Sequence, residues 1–303
     1  MIYDVLIIGA GPAGLTAGIY ARRAGKSVLI IESGAFGGQI VNTSEIENYP
    51  AIKKISGYEF SMNLVEQAMD LGAEIESDEV VDVTFGDEIT LKTTFNTFKG
   101  KTLIIATGAY PRKLGAVNEE KFLGAGVSYC AICDGAFFKG KDVALQGGGN
   151  SALEEAIYLS NICNKVYLVH RREGFRADND TAEKVKALKN VELILNYNIT
   201  EIKGEGKVDG VVVTNALDGS KKDIKVDGVF VSIGRAPSTK LFENKLDLNE
   251  SGYILADESC KTKYKNVFVA GDVRVKSFRQ LTTAVADGTV SCMNAVEYLG
   301  KNC

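Results

Sequence analysis

The segment Tyr3–Gly14 (YDVLIIGAGPAG) recurs as Lys141–Ala152 (KDVALQGGGNSA) at a constant offset of 138 residues. Gly9 aligns with Gly147, Gly11 with Gly149 and Gly14 with Ala152, and the match extends from Ile19-Tyr20 to Ile157-Tyr158. Chance does not produce so many matched positions, so the chain holds two copies of one supersecondary unit. In the first copy an apolar run, Tyr3–Ile8, meets a turn of Gly9, Ala10, Gly11, Pro12, Ala13 and Gly14; a helical stretch then runs to Gly25, and a second apolar run, Ser27–Ile31, is closed by Glu32. Strand, glycine turn, helix, strand and acid make up a dinucleotide-binding unit. The glycines allow a tight turn and close approach of a pyrophosphate to the helix N-terminus, and an acid about twenty residues on takes a ribose hydroxyl. A lone Gly-x-Gly-x-x-Gly can be only a flexible loop; the flanking elements and the placed acid decide against that here. In the second copy Gly147, Gly149, Asn150, Ser151 and Ala152 form the turn, and alanine is accepted at its third position.

The offset also separates two nucleotides. Glu32 aligns with His170, which is followed by Arg171, Arg172 and Arg176. A carboxylate at the end of the second strand suits a free ribose hydroxyl and repels a 2′-phosphate, whereas guanidinium groups do the reverse. The first unit is therefore expected to hold a nucleotide without that phosphate and the second to hold NADP(H). A basic surface cluster with no ligand is the other reading of the arginines.

Between and after these units the chain reads as follows. Gly37-Gly38-Gln39 and Glu47-Asn48-Tyr49-Pro50 lie in a long polar loop, either merely solvated or functional. Ser56–Leu71 carries Phe60, Leu64, Ala68 and Leu71 on one helical face, with Ser56 as cap. Residues 74–100 read as a small meander, and Thr102–Ala106 as a buried strand ending in Thr107-Gly108. Asp223–Gly234 closes the second unit, Arg235–Ser238 is a connector, and Asn266–Ala270 is another buried strand, ending in Gly271-Asp272. The spacing of Leu281, Val285, Cys292, Val296 and Leu299 predicts a helix over Gln280–Leu299. This last segment supplies the missing end of the first unit. The fold expected is α/β, with two Rossmann-like domains, one of residues 1–113 and 242–303 and the other, 114–241, inserted into it.

Cys130-Ala131-Ile132-Cys133-Asp134 can form and break a disulfide beside a carboxylate. The same spacing also serves as half a zinc site or as two buried small residues. Zinc needs two more ligands, yet Cys163, Cys260, Cys292 and Cys303 are scattered singly and His170 is the sole histidine. No metal site is expected, and the isolated cysteines read as small apolar residues. A thioredoxin would place the pair at a helix start after a strand; here it precedes a strand and a glycine turn, which suits a reducer of disulfides. The apolar N-terminus lacks a basic start and is broken by glycines, so no signal peptide is expected. Six cysteines then imply a reducing, cytoplasmic setting in which a persistent disulfide is catalytic. No run reaches the length of a membrane span, and the net charge of −4 argues against nucleic acid as a partner.

Taken jointly, the N-terminal fingerprint, Gly37-Gly38-Gln39, Ala106-Thr107-Gly108, Cys130 to Asp134, Gly147 to Ala152, His170-Arg171-Arg172 with Arg176, and Gly271-Asp272 with Arg279-Gln280 resemble low-molecular-weight thioredoxin reductases of the bacterial type, over essentially the whole chain. Related flavoproteins that reduce ferredoxin share the nucleotide motifs but lack the cysteine pair. The resemblance implies FAD in the first unit, with Asn48 and Leu281 joining the residues just named, and NADPH in the second, with Gly234 added. It implies a homodimer, thioredoxin or a thioredoxin-like protein as partner, Cys133 facing the flavin and Cys130 attacking the partner. The partial positive charge of the helix start at Gln280 is expected to point at the flavin pyrimidine, with Asp272 on the ribityl chain. Thiolate chemistry calls for an acid-base group, and with His170 in the nucleotide motif Asp134 is the adjacent candidate, its alternative role being to cap a turn. Departures are Gln146 in place of an apolar strand residue, Asn150 in place of the more usual aspartate, and Ala51 in place of a glycine. Two other readings are a reductase fed by ferredoxin or another flavoprotein, and a non-enzymatic flavin redox sensor.

Overall fold

A strand covered on both faces must be apolar throughout, and the apolar runs become the central strands of two parallel sheets. The computed structural model describes residues 1–43 and 45–302. In the first sheet Ile2–Ile8 pairs in parallel with Val28–Glu32 on one side and Thr97–Ile105 on the other. Glu74–Ser77 adds beyond Val28–Glu32, and Val267–Val269 pairs with the last residues of Thr97–Ile105. The second sheet has the order Val191–Leu195, Lys165–His170, Asp142–Gly147, Gly228–Ser232, Val127–Ser128. Strand for strand the two sheets match, except in how the fifth place is filled. Val267–Val269 reaches the first sheet from near the end of the chain, while Val127–Ser128 enters the second sheet ahead of that sheet's own first strand.

The described chain divides into two compact units, Met1–Tyr110 with the segment from Ala236 onward, and Pro111–Arg235. The two crossings, Ala109–Pro111 and Arg235–Pro237, pair with each other as a short ribbon. Each unit also carries an antiparallel meander between its third and fourth sheet strands. In the first it consists of Val80–Thr84, Ile89–Thr93 and the start of Thr97–Ile105. The expected meander over 74–100 therefore begins later, because Glu74–Ser77 belongs to the parallel sheet. The second meander, Tyr197–Lys203, Gly210–Asn215 and Lys221–Ile224, gave no distinct signal in the sequence.

That second meander explains Gln146. The side chain is buried, and its Oε1 accepts from Ile199 N–H at 2.7 Å, beside the register shift between Ile199 and Glu201. A polar residue in a parallel strand is thus satisfied by fastening the meander to the sheet. Ala51 has φ +72°, in the left-handed region that costs an L-residue about 1–2 kcal/mol, which is why glycine suits that position.

In the first unit the helix Gly57–Asp70 is capped by Ser56, whose Oγ accepts from Glu59 N–H at 3.1 Å, and it buries Phe60, Val65 and Ala68. The helix Leu281–Asn302 lies on the helix Pro12–Arg23, with Ala13, Ala17, Cys292 and Ala295 in one apolar core. The backbones come closest at Gly288, where an added Cβ would fall 2.3 Å from the Ala13 carbonyl oxygen. Because backbone cannot yield there, Gly288→Ala is expected to destabilise the first unit by about 1–3 kcal/mol. A fall of the thermal midpoint by several degrees checks this; an unchanged midpoint would contradict the contact.

Candidate active site

Cys130 and Cys133 are joined as a disulfide at the start of the four-residue helix Ala131–Asp134, directly after the strand Val127–Ser128, so a helix start after a strand, expected only of a thioredoxin, occurs here as well, on elements too short to leave a periodic trace. Cys130 sits at the cap position, its Sγ accepting from Cys133 N–H at 3.2 Å. Cys130 is half-buried and Cys133 exposed. The strand Val127–Ser128 carries the pair, and Ser128 serves both ends of it: its Oγ accepts from Cys130 N–H at 3.0 Å and donates to Asp134 Oδ2 at 2.5 Å. Burial raises the Asp134 pKa above the usual carboxylate range, and the Ser128 hydrogen bond opposes it only in part. A carboxyl biased toward its protonated form, next in sequence to Cys133 and joined through Ser128 Oγ to the Cys130 amide, has the acid-base character that proton delivery to a departing thiolate needs. Behind it the Tyr129 hydroxyl donates to Glu119 at 2.6 Å, and the Glu119 carboxylate accepts from the Leu114 and Gly115 amides at 2.8 and 2.7 Å. Neither Ser128 nor Glu119 carried a sequence signal.

At the first glycine turn, a Cβ on Gly14 would fall 1.9 Å from Gly9 O, so only glycine lets the helix Pro12–Arg23 start there. Gly9 itself has φ +107°. A Cβ on Gly11 would meet nothing within 4 Å, so the turn is open toward solvent at the helix N-terminus, as a pyrophosphate requires. Pro12 occupies the first helical position and Ala13 packs beneath Gly271. Glu32 accepts from Ala10 N–H and Gly34 N–H, both at 2.7 Å, and keeps further lone pairs for a ribose. Of the other expected residues, Gly37, Gly38 and Ala106 lie against this turn, and the rest make contacts elsewhere in the unit. Gly37 N–H donates to Ala10 O at 2.7 Å, Gly38 lies against Gly11, Gln39 Nε2 donates to Ala109 O, and Ala106 N–H donates to Ile8 O at 2.8 Å. Thr107 Oγ donates to Ser238 O at 2.8 Å beside Gly108, and Asn48 Nδ2 meets Gln280 Oε1 at 3.4 Å ahead of Leu281.

The Gly271-Asp272 turn rests on a buried charge network that sequence reasoning missed. Asp287, 4% exposed, accepts through Oδ2 from Gly271 N–H at 2.9 Å and from Arg274 Nε and Lys276 Nζ at 2.8 Å, and through Oδ1 from Arg274 Nη2 at 2.8 Å. Burial would raise the Asp287 pKa, but Arg274 and Lys276 override it and hold the carboxyl below its usual range. Arg279 stacks 4.1 Å over the Tyr253 ring and donates to Asp272 O at 3.4 Å. The nearest sequence signal was Asp287 as the one charged residue in the first half of the helix Leu281–Asn302.

At the second turn a Cβ on Gly149 would likewise meet nothing within 4 Å, while Ala152 is buried beneath Gly147. Asn150 and Ser151 open the helix Asn150–Ser160. His170 is buried, and a Cβ on Gly148 would fall 2.1 Å from its ring. Its Nε2 donates to Gly174 O at 3.1 Å, and burial lowers its pKa, keeping the ring neutral. It buttresses the turn, while Arg171, Arg172 and Arg176 are exposed beside it. Gly234, with φ +101°, accepts from Arg112 N–H at 3.0 Å at the end of this unit. Glu155, on the same helix and unread in the sequence, is pushed up to about 7 by burial, against the opposing effect of Ser232 and Arg235.

Cys163, Cys260 and Cys292 are buried free thiols, their pKa values raised by burial to about 11, about 12 and about 12. Cys303 lies outside the described residues. Among the described residues no group of three His, Cys, Asp or Glu is placed to hold a metal ion, and no helix is long and apolar enough to cross a membrane.

Three comparisons agree with this geometry. Residues 3–288 match the pyridine nucleotide-disulphide oxidoreductase family. The thioredoxin reductase of Listeria monocytogenes is 45% identical over 300 residues, covering 98% of this chain and 94% of the relative; that of Bacillus subtilis is 43% identical, covering 98% and 95%. The crystal structure of thioredoxin reductase from Streptococcus pyogenes superposes with a TM-score of 0.95 at 42% identity, covering 99% of each chain.

The raised Asp134 pKa has a consequence for stability. A carboxyl whose folded pKa is raised contributes stability below its unfolded pKa and loses it as pH rises through the folded value. Asp134→Asn removes that loss, so the variant should gain stability relative to the parent as pH rises from about 4, the ordinary carboxylate value, through the raised folded-state value. Thermal midpoints of both proteins across that range test it; a constant difference would rule out burial as the cause.

Proposed function

The chain belongs to the pyridine nucleotide-disulphide oxidoreductase family, and we propose that it is an NADPH-dependent thioredoxin reductase, using FAD and the Cys130–Cys133 disulfide to reduce the disulfide of thioredoxin. The observation that carries this reading is the disulfide itself, capping a short helix with a raised-pKa carboxyl beside it and a nucleotide turn on the same unit. FAD, when bound, supplies a two-electron carrier between a hydride donor and a disulfide. Its pyrophosphate is received at Gly11, with Gly9, Pro12, Ala13 and Gly14 shaping the turn, and Glu32 takes the adenosine ribose. Gly37, Gly38, Gln39, Asn48, Ala106, Thr107 and Gly108, with Gly271, Asp272, Arg279, Gln280 and Leu281, are the residues of this unit assigned to the rest of FAD. The start of the helix Leu281–Asn302 offers partial positive charge to an anion. NADPH is received at Gly147, Gly149, Asn150, Ser151 and Ala152, with Gly234 near by; Arg171, Arg172 and Arg176 pair with the 2′-phosphate, and neutral His170 supports the turn.

The sulfur chemistry follows from the two cysteines. The reduced pair carries two added electrons as thiols or thiolates. The Cys130 thiolate attacks one sulfur of the thioredoxin disulfide, breaking that bond and forming a mixed disulfide as one thioredoxin thiolate leaves. The Cys133 thiolate then attacks Cys130 Sγ, restoring the Cys130–Cys133 bond and releasing the second thioredoxin thiolate. The Asp134 carboxyl, inclined by burial to hold a proton and adjacent to Cys133 in the chain, is the group assigned to give and take it. The protein acts in the cytoplasm as a homodimer: three buried free thiols suit a reducing compartment, and Tyr20 and Met293 leave apolar surface exposed on two packed helices.

NADPH-dependent reduction of purified thioredoxin tests the proposal. Cys130→Ser and Cys133→Ser should each abolish turnover, with Cys133→Ser still trapping thioredoxin through Cys130, while Cys163→Ser, Cys260→Ser and Cys292→Ser retain activity. Turnover by Cys130→Ser would overturn the assignment. Replacing Arg171 or Arg172 by Ala should raise KM for NADPH about threefold to tenfold, reduced from a buried contact because both are exposed, and leave KM for NADH nearly unchanged. Equal effects on both nucleotides would remove the arginines from 2′-phosphate recognition.

A further inference from the structure

We propose that Asn150 and Asp178 form a clasp that positions the arginine loop against the second glycine turn, so that this pair tunes selectivity for a 2′-phosphorylated nucleotide. The inference rests on the NADPH reading of that unit. Residues 171–178 contain neither helix nor strand, so their placement depends on individual tethers. Arg172 O accepts from Asn196 N–H at 3.3 Å, and Phe175 packs beside the His170 ring. Two further tethers are local to the turn. The His170 ring packs under Gly148 with Nε2 on Gly174 O, and Arg176 N–H donates to Gly148 O at 2.8 Å. The remaining tether is made by side chains and joins the loop's end to the first residue of the turn's helix. Asn150 Nδ2 donates to Asp178 Oδ2 at 3.0 Å, and Asp178 N–H donates to Asn150 Oδ1 at 2.8 Å.

Asp178 stands at the cap position of the helix Asn179–Lys186, where an aspartate ordinarily accepts from the helix amides, yet its side chain makes no such bond. It turns to Asn150 instead. Asn150 in turn uses both halves of its amide, a donor to the carboxylate and an acceptor for the backbone. An aspartate at 150 could still accept the backbone hydrogen bond but would set a second carboxylate about 3 Å from the first, which disfavours the contact. That accounts for asparagine where aspartate was the more usual residue. The glycine turn sets where a pyrophosphate lies and the loop sets where guanidinium groups meet a 2′-phosphate; the clasp fixes the distance between them. Asn150 and Asp178 act here as positioning residues.

The probes are 2′,5′-ADP and 5′-ADP, titrated calorimetrically into the FAD-loaded enzyme. Asn150→Ala and Asn150→Asp should each weaken 2′,5′-ADP about fivefold more than 5′-ADP. The double variant Asn150→Asp with Asp178→Asn rebuilds both hydrogen bonds with donor and acceptor exchanged between the side chains, and should recover the parent ratio to within about twofold. Without ligand, amide hydrogen exchange over residues 171–178 should speed up in the single variants and slow again in the double. An unchanged ratio in Asn150→Ala, or a double variant no better than Asn150→Asp, would overturn the clasp. If the parent enzyme itself fails to prefer 2′,5′-ADP, the arginine assignment falls, and the clasp with it; a discriminating parent with indifferent variants removes the clasp alone.

Discussion

The approach of Gly14 to the Gly9 carbonyl governs the first unit. With only 1.9 Å available for a Cβ, the helix Pro12–Arg23 must begin with glycine at that point, directly over the end of the strand Ile2–Ile8. Its first amides then face outward past Gly11, where no atom intrudes. A helix N-terminus with open amides favours an anion, so one steric contact inside the turn determines what the outside of the turn can bind. The second unit reaches the same result with a different contact, an alanine at 152 packed beneath Gly147 and a neutral imidazole under Gly148.

Having equivalent backbones, the two units differ through the side chains at the ends of matching strands. Glu32 closes one second strand and folds back onto the Ala10 and Gly34 amides, leaving negative charge at the ribose position. His170 closes the other and turns inward, so the charge there comes from the exposed arginines that follow. The carboxylate is anchored by backbone and needs no further support. The arginines lie on an irregular segment, and its tethers to the glycine turn do the equivalent work.

Burial sets the protonation of the groups around both sites. It inclines Asp134 to keep a proton beside the disulfide, pushes Glu155 up to about 7 near the end of the strand Gly228–Ser232, and keeps His170 neutral. It also raises the pKa values of the three free thiols, separating them from the disulfide pair in reactivity as well as position. In the Asp287 network neighbouring cations outweigh burial, and there the carboxylate is structural, holding the Gly271 turn.

Both glycine turns, the matched strands, the cysteine pair and the arginines were legible in the sequence because each depends on residues within one turn or one strand, where spacing and apolar runs encode the geometry locally. The interrupted first unit was legible from the repeat, since a copy that lacks its end requires one elsewhere. Tertiary structure alone decided which polar groups meet: Gln146 with Ile199, Asp287 with Arg274 and Gly271, Ser128 with Asp134, Asn150 with Asp178. It also decided that Glu74–Ser77 joins the parallel sheet and that a second meander follows Val191–Leu195. Apolar burial is a property of each residue and leaves a periodic trace along the chain. A hydrogen bond between distant residues depends on which strands and turns lie side by side, and no spacing in the sequence records that.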